Sequence, residues 1–307
     1  MSAPLTATAP KQVRPLSRRG GATALLYLVP ALAVFGLFMF WPLVRSVILS
    51  VQGTDIIGRP SGFVGGESYA RLLADPDFLQ TLGVTFAFVL ATVIPSILVA
   101  LAIALALQEK IRGVRFFRTA FALPFAFSVA TASVIFQVLF NPAAGVLNGL
   151  LSYAHLGKVS WLTDPDIALW SVSGATVWMQ LGYNLLILSA GLGALDEDVL
   201  EAARLDGANG IRLNRSIVLP LITPQLFFLV VTGTIHALQS FGQIRILTVG
   251  GPERRTTTLV YSIYDQAFAN NNSNFGYASA QAMVLLVIVL AITAIQFGIL
   301  ERKVFYR

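Results

Sequence analysis

Long apolar runs recur along the chain and alternate with short polar segments. Six of them, at about 24–51, 81–107, 117–140, 167–193, 217–241 and 277–300, reach the roughly 20 residues that a helix needs to cross a bilayer core. The first begins TALLYLVPALAVFGLFMFWPL and holds Pro30 and Pro42, which a membrane helix tolerates better than a soluble one. The fourth carries Gly174, Gln180, Gly182, Tyr183 and Asn184, so its place is predicted inside the bundle rather than against lipid. The pattern predicts an all-α integral membrane protein of six transmembrane helices. The stretch KQVRPLSRRGG before the first run is basic like the start of a signal peptide, but the apolar run is too long and lacks a small-residue cleavage site. An uncleaved first helix is expected.

Composition agrees with this pattern. Hydrophobic residues make up 56% of the 307 and charged residues 12%, against about 25% charged in a soluble domain. Mean hydropathy is +0.74. These values exclude an ordinary water-soluble enzyme and a disordered chain. The chain has no cysteine and two histidines, which removes disulfides, thiolate metal sites and cysteine nucleophiles. The basic residues set the orientation. With the N-terminus inside, the inner segments 1–23, 108–116 with Arg118 at the next helix start, 194–216 and 301–307 hold 14 Lys and Arg, and the outer loops 52–80, 141–166 and 242–276 hold 6. Both termini are therefore predicted to be cytoplasmic. Residues 1–23 read as a disordered cytoplasmic tail and 24–307 as a single transmembrane domain.

One inner loop departs from the positive-inside bias. Residues 194–220, ALDEDVLEAARLDGANGIRLNRSIVLP, hold Asp196, Glu197, Asp198, Glu201 and Asp206 against Arg204, Arg212 and Arg215. Asp196 or Asp198 can cap a short helix, and the first-turn acids suit its dipole. Asp198 and Glu201 have capping-box spacing. Leu200 and Ala203 share a face, Ala202 and Ala203 are small, and Gly207 permits a sharp turn. A second helical stretch is expected from Ile211 to Leu219, with Pro220 and Pro224 where the fifth span begins. The loop thus predicts a helix–turn–helix elbow between the fourth and fifth helices. Local physics leaves open whether it caps the bundle or receives a partner.

The spacing adds to this. Glu201-Ala202-Ala203, three residues, Gly207, nine residues, Ile217, one residue, Leu219-Pro220 matches the EAA loop of bacterial ABC importers. LFNPAAGVLNGLL at 139–151, Trp161-Leu162, Trp178, Ala190-Gly191-Leu192, LTVGGP at 247–252, TTTLVYSIYDQAF at 256–268 and FGYASA at 275–280 match too. From about residue 25 onward the chain resembles the permease subunits of carbohydrate-type ABC importers. The resemblance implies that Glu201, Ala202, Ala203, Gly207, Ile217, Leu219 and Pro220 form a coupling elbow on a cytoplasmic ATPase. It also implies a second permease subunit, two ATPase subunits and an extracytoplasmic solute-binding protein, in a bacterial inner membrane and without nucleic acid. The sequence has no G-x-x-x-x-G-K-[ST] phosphate loop. No catalytic residue, metal or cofactor is expected in this chain, and ATP and Mg would belong to the partner ATPase.

The last 60 residues look most like permeases of sn-glycerol-3-phosphate importers, through TTTLVYSIYDQAF and the ending AITAIQFGILERKVFYR. That resemblance implies glycerol-3-phosphate or a glycerophosphodiester as cargo, with a neutral di- or oligosaccharide as the alternative. A phosphate calls for a basic side chain, helix N-termini or a ring of donors, and Arg245 and Arg45 lie near the outer ends of spans, where both can also snorkel to headgroups. A sugar calls for amides and aromatic faces. Polar residues within spans usually point inward, so Gln180, Asn184, His236, Gln239, Ser240 and Gln243 are pathway candidates, with Gln137, and with Trp178 and Tyr183 as stacking surfaces. Each amide has an equally ordinary use in bonding helix to helix, and His236 is expected to be a neutral interhelical residue. Arg254 and Arg255 are expected to be solvated, and His155 a surface residue. A secondary transporter would place acids in its span cores, and these six have none. A membrane enzyme or a channel lacks its constellation or filter.

Overall fold

The computed structural model describes residues 18–55, 59–108, 113–269 and 274–301. The chain forms two compact units, Met1–Ile48 and Leu49–Arg307. The first unit holds helix α1 (Arg18–Phe35), which passes through a π-helical turn at Gly36–Phe40 into α2 (Trp41–Ser50), of which Leu49 and Ser50 fall in the second unit. Helix thus begins inside the stretch read as a tail; residues 1–17 of that stretch lie outside the described residues.

The second unit opens with a hairpin of β1 (Gln52–Thr54) and β2 (Pro60–Phe63), antiparallel with Gln52 opposite Phe63, and α3 (Glu67–Ala74). Helix α4 (Pro76–Ala106) follows, started by Asp75, whose Oδ1 accepts from the Asp77 amide at 3.0 Å. Next come α5 (Val114–Ala122), α6 (Val129–Leu139), α7 (Val146–Tyr153) and α8 (Ala168–Gly193). The elbow holds α9 (Glu197–Leu205), α10 (Gly210–Leu213) and α11 (Leu219–Leu221), and leads to α12 (Thr223–Leu238). The chain ends with α13 (Gly242–Leu247), α14 (Leu259–Tyr264) and α15 (Phe275–Leu300).

Helical stripes build the core. Val89, Val93, Ile97 and Ala100 of α4 meet Leu181, Leu185, Leu188 and Leu192 of α8, with Leu229, Ala237 and Leu238 of α12 closing the layer. The spacings of three and four residues place the α4 set and the α8 set each on one helix face. Buried hydroxyls return to their own helices: Thr92 Oγ1 donates to the Phe88 carbonyl at 2.7 Å and Thr176 Oγ1 to that of Val172 at 2.8 Å. Gln296 of α15 donates to Thr234 Oγ1 of α12 at 3.0 Å, an interhelical bond of the kind expected in lipid. Asn148, 3% exposed, ties α7 to the segments before and after it: its amide donates to the Pro142 and Val159 carbonyls, and its Oδ1 accepts from the Val159 amide and Trp161 Nε1.

Among the described residues four helices are long and apolar enough to cross a membrane, or six if each of two bent pairs is one span. The third run is one of these pairs, not a single helix over 117–140: Val114–Ala126 and Val129–Leu139 meet at 103°. Pro124 enters a 3₁₀ turn at Leu123–Ala126, Phe127 is extended, and Ser128 restarts the helix by accepting from the Thr131 amide at 3.1 Å. The fifth run bends by 68° between Gly210–Leu221 and Thr223–Leu238, with Pro224 in the first turn after the break. Its helix ends at Leu238, before the predicted 241.

Candidate functional site

The bent third run, α8 and α12 enclose a cavity of about 630 Å³. Gln180, Tyr183 and Asn184 reach it from α8, His236 from the last turn of α12, and Gln239, Ser240 and Gln243 from the segment that follows. Seven of the nine pathway candidates thus line one space. The helical period explains the grouping on α8, because Thr176, Gln180 and Tyr183 fall within about 60° of one another. Trp178 lies about 200° round the helix from Thr176 and does not line the cavity. Its ring packs on those of Phe127 and Phe136, with centroids 5.9 and 5.4 Å away.

Arg245 also stands outside the lining. It is exposed on the last turn of α13, with its guanidinium carbon 5.5 Å from the Tyr264 ring centroid. Burial, with the Asp265 carboxylate adding to it, raises the neighbouring Tyr261 phenol above its ordinary value, and Arg245 acts in the opposite sense. Among the described residues no Lys, Arg, Asp or Glu lines the cavity. Pro124, Phe125, Phe127, Thr176, Met179, Thr232 and Phe241, none of them a candidate from sequence, also line it. Pro124 was the available signal, since a proline inside an apolar run marks a break.

The polar groups near the cavity are held from behind. Ser240 Oγ donates to the His236 carbonyl at 3.0 Å, and Thr258 Oγ1 donates to the Ser240 carbonyl at 3.3 Å. Ser96 of α4 donates to Gln180 Oε1 at 3.4 Å. Gln137 lies elsewhere, donating to the Ile246 carbonyl at 3.3 Å and so joining α6 to α13. His155 is exposed in the turn after α7, with φ +60°. Arg254 is bound rather than solvated: its Nε lies 3.8 Å from Asp77 and its Nη2 donates to Thr81 at 3.5 Å. Arg255 is exposed. The turn carrying both has three non-glycine residues at positive φ, Val249, Glu253 and Arg254, a concentration of backbone strain that sequence patterning does not reveal.

At the elbow, Asp196 is the cap of α9, its Oδ1 accepting from the Asp198 amide at 3.1 Å. Asp198 lies inside the first turn, so the Asp198–Glu201 capping box does not form. Leu200 and Ala203 pack on the main core, as do Ile217 and Leu219. Gly207 has φ +86°. Its amide donates to the Arg204 carbonyl at 3.0 Å, and the Ala208 amide to that of Ala203 at 2.9 Å. Together these are the two bonds of a Schellman turn. Glu201, Ala202 and Pro220 are exposed. Glu201 borders a cleft of about 560 Å³ shared with Glu197, Arg204 and Arg118. Leu205 and Ile211 flank the turn at 90% and 85% exposure, an apolar pair that the charge pattern had hidden.

Residues 69–306 match the family described as "binding-protein-dependent transport system inner membrane component". The chain is 38% identical over 284 residues to the sn-glycerol-3-phosphate transport system permease protein UgpA of Agrobacterium fabrum, covering 92% of this chain and 95% of that protein. The UgpA of Brucella abortus is 38% identical over 282 residues, with 91% and 94% covered. Among solved structures, a bacterial alginate ABC transporter in complex with an alginate pentasaccharide-bound periplasmic protein superposes with a TM-score of 0.80 at 22% identity, over 94% of this chain and 97% of that one. That likeness speaks to the fold. With its helical bundle, its apolar spans and this match over most of its length, the chain belongs to the binding-protein-dependent inner membrane transport components.

Proposed function

We propose that this chain is one of two permease subunits of an ATP-driven importer, and that it forms half of the pathway for glycerol-3-phosphate or a glycerophosphodiester. One observation carries the mechanical part. A single helix, α12, brings Thr232 and His236 to the cavity and is joined at its other end, through the bend at Ile222, to the elbow. A push on the elbow therefore moves a wall of the cavity. In this reading the domain spans residues 24–307 behind a cytoplasmic tail of residues 1–23. Six spans cross the inner membrane, the third and fifth of them broken, with both termini and the elbow cytoplasmic.

The elbow is the docking element for one of two ATPase subunits, which bind and hydrolyse ATP with Mg. Glu201 offers charge, Ala202 and Ala203 a close approach, and Gly207 the bend, while Ile217, Leu219 and Pro220 join the elbow to the bundle. Leu205 and Ile211 supply the apolar contact. A solute-binding protein outside the membrane delivers cargo to the cavity, whose volume lies in the range of about 300–1,000 Å³ usual for small-molecule sites. Gln180, Tyr183, Asn184, His236, Gln239, Ser240 and Gln243 meet the cargo there. Trp178 supports Phe127 from behind, and Arg245 acts outside the cavity.

The relatives named above support the phosphate cargo. The absence of Lys and Arg from the described lining supports a second reading, a neutral di- or oligosaccharide held by amides and aromatic faces. ATP hydrolysis by the reconstituted complex with its binding protein distinguishes the two. The panel is glycerol-3-phosphate, glycerophosphocholine, maltose and trehalose. Stimulation by the phosphate compounds alone is expected. Stimulation by a neutral sugar alone refutes the phosphate reading and keeps the importer.

A further inference from the structure

A phosphate leaving water for a cavity of this kind needs a cation or a set of oriented donors, because an uncompensated ion in a protein interior is costly. The described lining offers amides, hydroxyls and aromatic rings, and among its side chains only the imidazole of His236 can carry a positive charge. Tyr183, the other titratable lining group, can only become negative. Arg245 stands on the Tyr264 ring outside the lining.

The setting of His236 suits a cation that meets a ligand. It lies in the last turn of α12. It is exposed rather than packed, and Ser240 Oγ bonds its backbone carbonyl, not its ring. The break in the third run adds a second feature. Phe127 and Val129, on either side of the Ser128 cap, both line the cavity. The amino end of the 11-residue α6 therefore borders the same space; its Thr131 amide is taken by Ser128 Oγ, and the Val129 and Ala130 amides have no carbonyl partner within the helix. Half-helices that begin inside a membrane protein use this end for anionic groups.

We propose that His236 is the phosphate-recognising side chain of the pathway, pairing as imidazolium with the cargo's phosphate while the amino end of α6 borders the same group. This rests on the phosphate reading of the cargo. It assigns the charge recognition to a residue the sequence presents as a neutral helix-to-helix contact, and withdraws it from Arg245.

The test uses the complete importer in proteoliposomes with its binding protein, and measures glycerol-3-phosphate delivered per ATP hydrolysed for wild type, His236→Gln and His236→Lys. The Gln variant keeps a donor of similar reach and loses the charge. Its delivery per ATP is expected to fall about tenfold or more, the scale of a lost charge-assisted hydrogen bond, and the Lys variant is expected to recover most of it. Poor assembly lowers uptake and hydrolysis together and leaves the ratio unchanged. An unchanged ratio in the Gln variant overturns the proposal, as does an equal fall in both variants, which would make shape and not charge the property required. A wild-type complex that responds to neither phosphate compound overturns the cargo reading itself, and is recognised before any variant is compared.

Discussion

Helix α8 carries two glycines that look alike in sequence and differ in their surroundings. A Cβ added at Gly174 meets nothing within 4 Å. One added at Gly182 would lie 2.5 Å from the Ala122 carbonyl oxygen and 2.8 Å from the Phe125 amide nitrogen, where α8 crosses the bend of the third run. Contacts of a real Cβ essentially never fall below 3.0 Å, so the two backbones must part by at least about 0.5 Å, and overpacking of this kind costs about 1–3 kcal/mol. Alanine returns about 1 kcal/mol of helix propensity at either site. Gly174→Ala is thus expected to stabilise by up to about 1 kcal/mol, and Gly182→Ala to lie about 1–3 kcal/mol below it. At about 2–4 °C per kcal/mol, the midpoints of thermal inactivation of the two purified variants should differ by at least about 2 °C. Equal midpoints, or a more stable Gly182→Ala, would refute the close crossing and with it the account of the bend.

Three further outcomes follow from named geometry. A Cβ added at Gly207 meets no neighbour within 4 Å, so the cost of Gly207→Val is chiefly conformational: at least about 1–2 kcal/mol for a side chain at positive φ, with Gly207→Asn losing less. Equal thermal midpoints for the two variants would show that the turn does not need that conformation. Glu201→Lys is expected to leave membrane levels unchanged while reducing co-purification of the ATPase and abolishing uptake; normal uptake would remove Glu201 from the docking surface. Asn148→Ala strands the Pro142 and Val159 carbonyls, the Val159 amide and Trp161 Nε1. It should lower stability by about 2–4 kcal/mol in thermal inactivation, and a loss below about 1 kcal/mol would mean that water replaces the side chain.

The sequence by itself determined which segments are apolar enough to enter a membrane, because hydropathy depends on composition over a window and not on neighbours in space. It determined the elbow as well: an acidic helix start, small residues and Gly207 are local chemistry, and the Schellman turn with φ +86° forms within that segment. It marked the polar residues of the fourth and fifth runs, since burying an amide in lipid is costly wherever the chain goes. Tertiary structure decided the rest. Pro124 and Ser128 were readable, but a proline in a membrane helix is compatible with a gentle kink, and only packing against Gly182 fixes a bend of 103°. Trp178 and Tyr183 looked equivalent as stacking surfaces until the facing of α8 set one against Phe127 and Phe136 and the other at the cavity. Arg245 and Arg254 looked like free outer cations until Tyr264, Asp77 and Thr81 came beside them. The physical reason is the same in each case: hydropathy and turn chemistry act over a few residues, whereas the partner of a side chain is chosen by elements far apart in the sequence.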